Sequence, residues 1–190
     1  KVRDVLKQGT EVLFCGLPCY CAALKNFLTK EYKNLTTIDL ICSAPPSTDA
    51  IDMTLRHCNA TEFNRFRKKI ENGMWGADYN IVVDKEVVKR KNQTIFYSVF
   101  ASLMTARHSC TDCKFARMER VADFTAADFH DYHCIGKEKG VSLVIANNHE
   151  SIEKLYNTKD LQIVPETWVK AINSNHRLYN GYDFLRYHPG

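Results

Sequence analysis

No stretch of the 190 residues approaches the roughly 18 consecutive apolar side chains that a bilayer-spanning helix needs, and no basic start leads into an apolar secretory run. The expectation is a cytoplasmic protein without a membrane span. An excess of one charge is missing too: 26 Lys and Arg against 22 Asp and Glu leave a net charge of +4. Nucleic-acid binding normally shows as clustered basic residues and a pI above ~9, so no nucleic-acid partner is expected. Glycine is scarce, with eight residues, and none of them builds the G-x-G-x-x-G fingerprint of a dinucleotide site. Internal repeats and low-complexity tracts are absent as well. What remains is ordinary globular material, 45% hydrophobic and 25% charged, long enough for one domain with a sizeable core. The chain opens at Lys1 with an amphipathic segment already under way, as a piece excised from a longer protein would.

Eight cysteines are present: Cys15, Cys19, Cys21, Cys42, Cys58, Cys110, Cys113 and Cys134. That density is below the 8–10% typical of disulfide scaffolds, and a chain of this size needs no such staples. In a reducing compartment the clustering points to metal binding or redox chemistry. Asn-x-Thr tripeptides at Asn34, Asn59 and Asn92 are common by chance and carry little weight against this.

The hydrophobic pattern alternates between helix and strand periods. Val2 to Gln8 reads as a helix stopped by Gly9, Val12 to Cys15 as a buried strand ending at Gly16, and Cys19 to Leu28 as a helix opened by Pro18. Leu35 to Cys42 reads as the next strand, and together these make one parallel βαβ unit. Pro45-Pro46 ends it, and Ser47 is the expected side-chain cap of a helix running from Thr48 to Cys58. Glu62 to Ile70 reads as a basic, part-aromatic strand. Tyr79–Val83 and Val87–Lys89 form a hairpin across Asp84-Lys85, and Thr94 to Arg107 is an amphipathic helix. Strands over Val121–Phe129, Val141–Ala146 and Leu161–Val164 and helices over Ser151–Tyr156 and Glu166–Ile172 complete the pattern. The fold class is α/β: a single domain with a mixed, largely parallel central sheet flanked by helices.

Cys110-Thr111-Asp112-Cys113 is the strongest local signal, because two thiolates three residues apart on a turn hold one metal ion or one corner of a cluster. A full site needs four ligands. Cys19 opens the helix after the first strand and Cys42 closes the next parallel strand, so both fall at the carboxyl edge of the sheet, where α/β folds bind ligands. Cys110 and Cys113 would complete a four-thiolate cage, suited either to an iron–sulfur cluster or to structural zinc. A competing set joins Cys110 and Cys113 to His130 and His133, although zinc sites normally leave three to five residues between the histidines. On that reading the chain is a non-enzymatic, zinc-stabilised structural or interaction domain. Lone cysteines such as Cys58 read as packed hydrophobes.

Several short motifs in sequence order are similar to a known family. They are Leu13-Phe14-Cys15-Gly16-Leu17-Pro18-Cys19, Asp39-Leu40-Ile41-Cys42, Phe66-Arg67-Lys68-Lys69 with Gly73 and Trp75, and Cys110-x2-Cys113-Lys114-Phe115-Ala116. Asp123 with Asp128-Phe129, and Lys139-Gly140-Val141-Ser142, follow. In order and spacing the chain resembles the C-terminal region of the coenzyme F420 hydrogenase/dehydrogenase beta-subunit family. The resemblance implies an iron–sulfur flavoprotein oxidoreductase that passes electrons between a 4Fe-4S cluster, FAD and a small-molecule acceptor. It also implies a ferredoxin-like electron donor, which a domain outside this piece would supply if no separate protein does. The motif positions give Cys19, Cys42, Cys110 and Cys113 as cluster ligands, and Arg67, Lys69, Asp123 and Asp128 as residues near the flavin, while the Gly16-Leu17-Pro18 turn at the start of a helix reads as a weak seat for a flavin phosphate. No catalytic residue is assigned. The chain departs from the family pattern at Cys15, usually Ser or Thr, at Ser43-Ala44, usually His-Gly, and at Ala127 to Asp131, usually Gly-Asp-Phe-Trp-Gly. The last of these motifs alone loses two glycines and an aromatic plane, so the cluster motif survives better than the flavin motif.

Overall fold

The computed structural model describes residues 1–69, 79–88, 96–97, 100, 104, 106–129 and 141–178. They fall into two compact units. The first takes in Lys1–Cys42, Lys114–Tyr132 and Val141–Gly181, and the second Ser43–Cys113 with His133–Gly140 and Tyr182–Gly190.

The first unit is built on a four-stranded sheet in the order β1 (Val12–Gly16), β2 (Leu35–Leu40), β6 (Phe124–Asp128), β7 (Ser142–Ala146). The first three strands run parallel, and β7 pairs antiparallel with β6. This is the mixed, largely parallel α/β sheet read from the sequence. Helix α1 (Val2–Lys7) ends ahead of Gly9, whose φ of 79° is the left-handed conformation that closes a helix cheaply only at glycine. Helix α2 (Pro18–Leu28) places Pro18 in its first turn, where a missing N–H costs nothing, and forms the crossover from β1 to β2. In β7, Leu143 and Ile145 are buried while Ser142 and Val144 are exposed, the two-residue period of a half-buried strand. Helix α5 (His149–Asn157) is capped by Asn148, whose Oδ1 accepts from the Ser151 amide and hydroxyl, both at 2.8 Å. Helix α6 (Trp168–Ser174) and a 3-10 turn over His176–Leu178 complete the unit.

The second unit holds α3 (Thr48–Cys58), the antiparallel sheet β3 (Phe63–Lys69), β4 (Tyr79–Val83), β5 (Glu86–Val87), and the single helical turn α4 (His108–Thr111). Its core gathers Ala50, Ile81, Val83, Val88 and Phe96. Phe63 and Phe66 both face Phe96, with ring centroids 5.4 and 5.1 Å away. Residues three apart in a regular strand would point to opposite faces. The pairing register of β3 shifts between Phe63 and Arg65 and again between Arg65 and Lys68, and such bulges turn both rings inward.

Four sequence expectations need correction. Strand β1, expected to be buried, is the edge strand of its sheet, with Leu13 and Cys15 exposed. Leu161–Val164 is irregular rather than a strand, with Leu161 and Val164 exposed, because β propensity without a ladder partner does not make a strand. Strand β2 stops at Leu40, short of Cys42, although the Ile41 amide still donates to the Ala126 carbonyl at 3.1 Å. Ser47 does occupy the N-cap of α3, but its hydroxyl donates to Asp49 Oδ2 at 3.0 Å instead of capping a backbone amide. Most of the helix expected over Thr94–Arg107 lies outside the described residues. Its Phe96, Tyr97 and Phe100 are helical, but Ala106 forms an antiparallel bridge with Pro46 and Arg107 is extended, so the helix ends short of the expected Arg107.

The β4–β5 turn carries Asp84 at φ 45° and Lys85 at φ 66°, two left-handed residues with no glycine. Tight hairpins require this geometry because it matches strand twist. The Asp84 carboxylate accepts from the amides of Thr61 and Glu62, and these bonds hold it below the ordinary carboxylate pKa. Lys85→Gly relieves the strain of a side chain at positive φ and is expected to raise stability by up to about 1 kcal/mol. Thermal unfolding of the variant checks this, and a lower Tm would contradict it.

Candidate functional site at the carboxyl edge of the four-stranded sheet

The three parallel strands share one carboxyl edge, and the chain leaves each of them there. After β1 comes Gly16-Leu17-Pro18 and the start of α2, which carries an exposed Cys19 in its first turn. After β2 comes half-buried Cys42, and β6 ends on half-buried Asp128. Register pairs Leu40 with Ala126, so Cys42 and Asp128 both lie just beyond that level. Three residues named from the sequence, Cys19, Cys42 and Asp128, therefore lie along this edge of the first unit.

Other candidates fall elsewhere. Asp123 precedes the amino end of β6, five residues and roughly 16 Å of strand from Asp128. Its Oδ2 accepts from the Thr37 amide and hydroxyl, both at 2.7 Å, and its Oδ1 from Asn148 Nδ2 at 3.3 Å. Those bonds tie β2, β6 and α5 together. Gly16 is tightly packed, and a Cβ there would sit 3.1 Å from the Phe14 ring, which would have to give by a few tenths of an ångström. Arg67 and Lys69 belong to β3 of the second unit, and their side chains lie outside the described residues. So do Gly73, Trp75, His130, His133 and Cys134.

Cys110 closes the third position of α4, its amide bonded to the Arg107 carbonyl at 2.7 Å, and Cys113 follows one residue past the C-cap Asp112. Both are half-buried. All seven described cysteines are thiols rather than half-cystines. Among the described residues of each unit, no three His, Cys, Asp or Glu side chains gather closely enough to hold a metal ion.

Two cysteines differ from these four. Cys58 packs against the second unit's core, and burial raises its pKa. Cys21 is fully buried on α2, its thiol donating to the Ile38 carbonyl at 3.6 Å. Burial, and then the negative charges of Asp39 and Cys15, push its pKa to about 11. Cys21 is therefore an inert thiol near neutral pH, unlike a ligand that must be a thiolate.

One sequence loss is smaller than it looked. Ala44, which stands where the family pattern has glycine, is buried and adopts φ 57°. The backbone keeps the left-handed shape at some cost in strain.

Sequence reasoning missed the most deeply buried polar group of the edge. Asp39 of β2 has no exposure and pairs with Arg120, which has 3%, at 2.9 Å. Thr125 Oγ1 donates to Asp39 Oδ1 at 2.6 Å and accepts from Asn147 Nδ2 at 3.0 Å. A clue was visible: an aspartate inside the apolar run Ile38 to Ile41 has to find a partner. An open groove of about 710 Å3, lined by Val12, Leu13, Phe124 and Glu153 among others, lies at the opposite, amino end of the strands and takes no part in this edge.

The raised Cys21 pKa sets a pH window. Its folded value of about 11 exceeds the reference 9.0, so the stability it contributes is complete below pH 9 and drains as pH rises towards 11. In denaturant titrations the stability advantage of wild type over Cys21→Ala is expected to shrink across that interval. An advantage constant from pH 8 to 11 would contradict the assignment.

A profile of one family, described as the C terminus of the coenzyme F420 hydrogenase/dehydrogenase beta subunit, matches residues 9–166. No curated protein matches the chain. The matched span runs from just before β1, through both cysteine-bearing strand ends and the Cys110/Cys113 turn, to just before α6. With most of its length matched, the chain belongs to the C-terminal family of coenzyme F420 hydrogenase/dehydrogenase beta subunits, a family of oxidoreductase components.

Proposed function

We propose that the protein is an electron-transfer domain in which Cys19, Cys42, Cys110 and Cys113 hold a 4Fe-4S cluster. The observation that carries the reading is the division among the cysteines. Cys21 and Cys58 are packed as hydrophobes with raised pKa values, whereas these four lie outside the core on a helix start, a strand exit and a tight turn; Cys15 on β1 is exposed as well, at a position where the family motif carries no cysteine. Four thiols of this kind, none consumed in a disulfide, are the soft donor set that iron–sulfur clusters and zinc prefer. Membership of an oxidoreductase family favours iron.

The cluster, when bound, would supply one-electron transfer. The residues of this chain would anchor it, and the Cys19 amide in the first turn of α2 offers a hydrogen bond of the kind that tunes the potential of such centres, the Tyr20 and Cys21 amides being bonded to the Leu17 carbonyl. FAD as electron partner rests on the family relation. Asp123 is bonded to Thr37 and Asn148, and Gly16, Asp128 at the sheet edge, and Arg67 and Lys69 on β3 are the residues to test for flavin. A ferredoxin-like donor and a small-molecule acceptor complete the scheme, with a cytoplasmic location suited to reduced thiols.

Anaerobic reconstitution followed by iron, sulfide, zinc and flavin quantitation tests the proposal. Cys42→Ser is expected to lose at least about half of the bound iron and sulfide, while Cys58→Ser keeps both, since only the former removes a ligand. Stoichiometric zinc that survives Cys42→Ser would reject the cluster in favour of a zinc site on the Cys110/Cys113 turn.

A further inference from the structure

We infer that Arg120 is a positioning residue for the cysteine-bearing edge: its guanidinium fork fixes the segment after the Cys110/Cys113 turn against the strand end that leads into Cys42. The inference rests on the cluster proposal for its purpose, but its structural half stands alone. Arg120 has five N–H donors, and five bonds are present. Nη2 donates to Asp39 Oδ1 at 2.9 Å and to the Leu40 carbonyl at 3.1 Å. Nη1 donates to the carbonyls of Phe115 at 2.9 Å and Arg117 at 3.3 Å, and Nε to Thr125 Oγ1 at 3.1 Å.

These acceptors come from three places. Phe115 and Arg117 belong to the segment that begins one residue after Cys113. Leu40 is the last residue of β2, two before Cys42. Thr125 sits in β6. Residues 114 to 120 have no helix or strand ladder to hold them, so these side-chain bonds to backbone carbonyls fix their course. A planar fork can bind acceptors in several directions at once, and an ammonium on a flexible stem cannot. Arginine geometry, and not simply a positive charge beside Asp39, is therefore what this position requires.

Two variants separate geometry from charge. Arg120→Lys keeps the charge opposite Asp39 and loses the fork. Asp39→Asn removes the charge but keeps Oδ1 as an acceptor, and puts its amide where Oδ2, buried and without a partner among the described residues, meets no donor. Trypsin cleavage after Lys114 and Arg117 in the metal-free protein reads the clamp directly. Arg120→Lys is expected to be cut there about ten-fold faster than wild type, the factor that losing one or two hydrogen bonds gives, and Asp39→Asn, which keeps the fork but leaves its buried charge unpaired, by less than that factor. In anaerobically reconstituted protein, Arg120→Lys is expected to bind less than half the wild-type iron and Asp39→Asn more than Arg120→Lys.

Equal cleavage of Arg120→Lys and wild type, or greater cleavage of Asp39→Asn than of Arg120→Lys, overturns the inference. Should Arg120→Lys fail to fold, the neutral pair Asp39→Asn/Arg120→Gln leaves no buried charge uncompensated, and the same ten-fold increase is required of it. The two ideas fail separately. Wild-type protein that takes up no iron rejects the cluster while proteolysis still judges Arg120. Wild-type and Arg120→Lys proteins that load iron equally and resist trypsin equally keep the cluster and reject the clamp.

Discussion

A carboxylate with no solvent exposure sits in the middle strand region of the four-stranded sheet, and the chain around it is arranged to satisfy that charge. Asp39 is held by Arg120 and Thr125. Leaving either member of such a buried pair alone typically costs about 3–5 kcal/mol. The arginine that neutralises it arrives from residues 114–120, far along the chain, so the need to compensate one charge dictates where that segment runs. The strand register around it has a second tie in the Asp123 carboxylate, bonded to Thr37 and Asn148. Two aspartates thus fix β2, β6 and their flanking segments, one towards each end of the sheet.

The same economy separates the cysteines by role. A thiol deep on α2 or against the second unit's aromatic cluster behaves as a small hydrophobe, and burial keeps its proton on. Cys19 at a helix start, Cys42 past a strand end and Cys110 and Cys113 on a turn lie outside the core, and the proposed cluster would draw on those sulfurs rather than on any core feature.

Much of the fold was legible because local and tertiary preferences agree. Pro18 and Gly9 punctuate helices as their backbone constraints demand, and the apolar runs of β1, β2 and β7 lie where periodicity placed them. Legibility failed where the outcome depended on a distant partner. Leu161–Val164 has strand-like residues but pairs with no described strand, and both Phe63 and Phe66 reach the core only because bulges reset the register of β3. Of the site, the cysteine motifs were readable from spacing and the shared carboxyl edge from topology. The Arg120 fork was not, since three of its five acceptors are backbone carbonyls, which leave no mark on the residue types.

Electron transfer on this fold requires four thiolates from separate parts of the chain to converge on iron. Iron anomalous scattering from an anaerobically grown crystal of the reconstituted protein tests this most directly. The expected result is one strong iron feature bonded to the sulfurs of Cys19, Cys42, Cys110 and Cys113. A metal held by Cys110 and Cys113 with His130 and His133, leaving Cys19 and Cys42 remote, would contradict it.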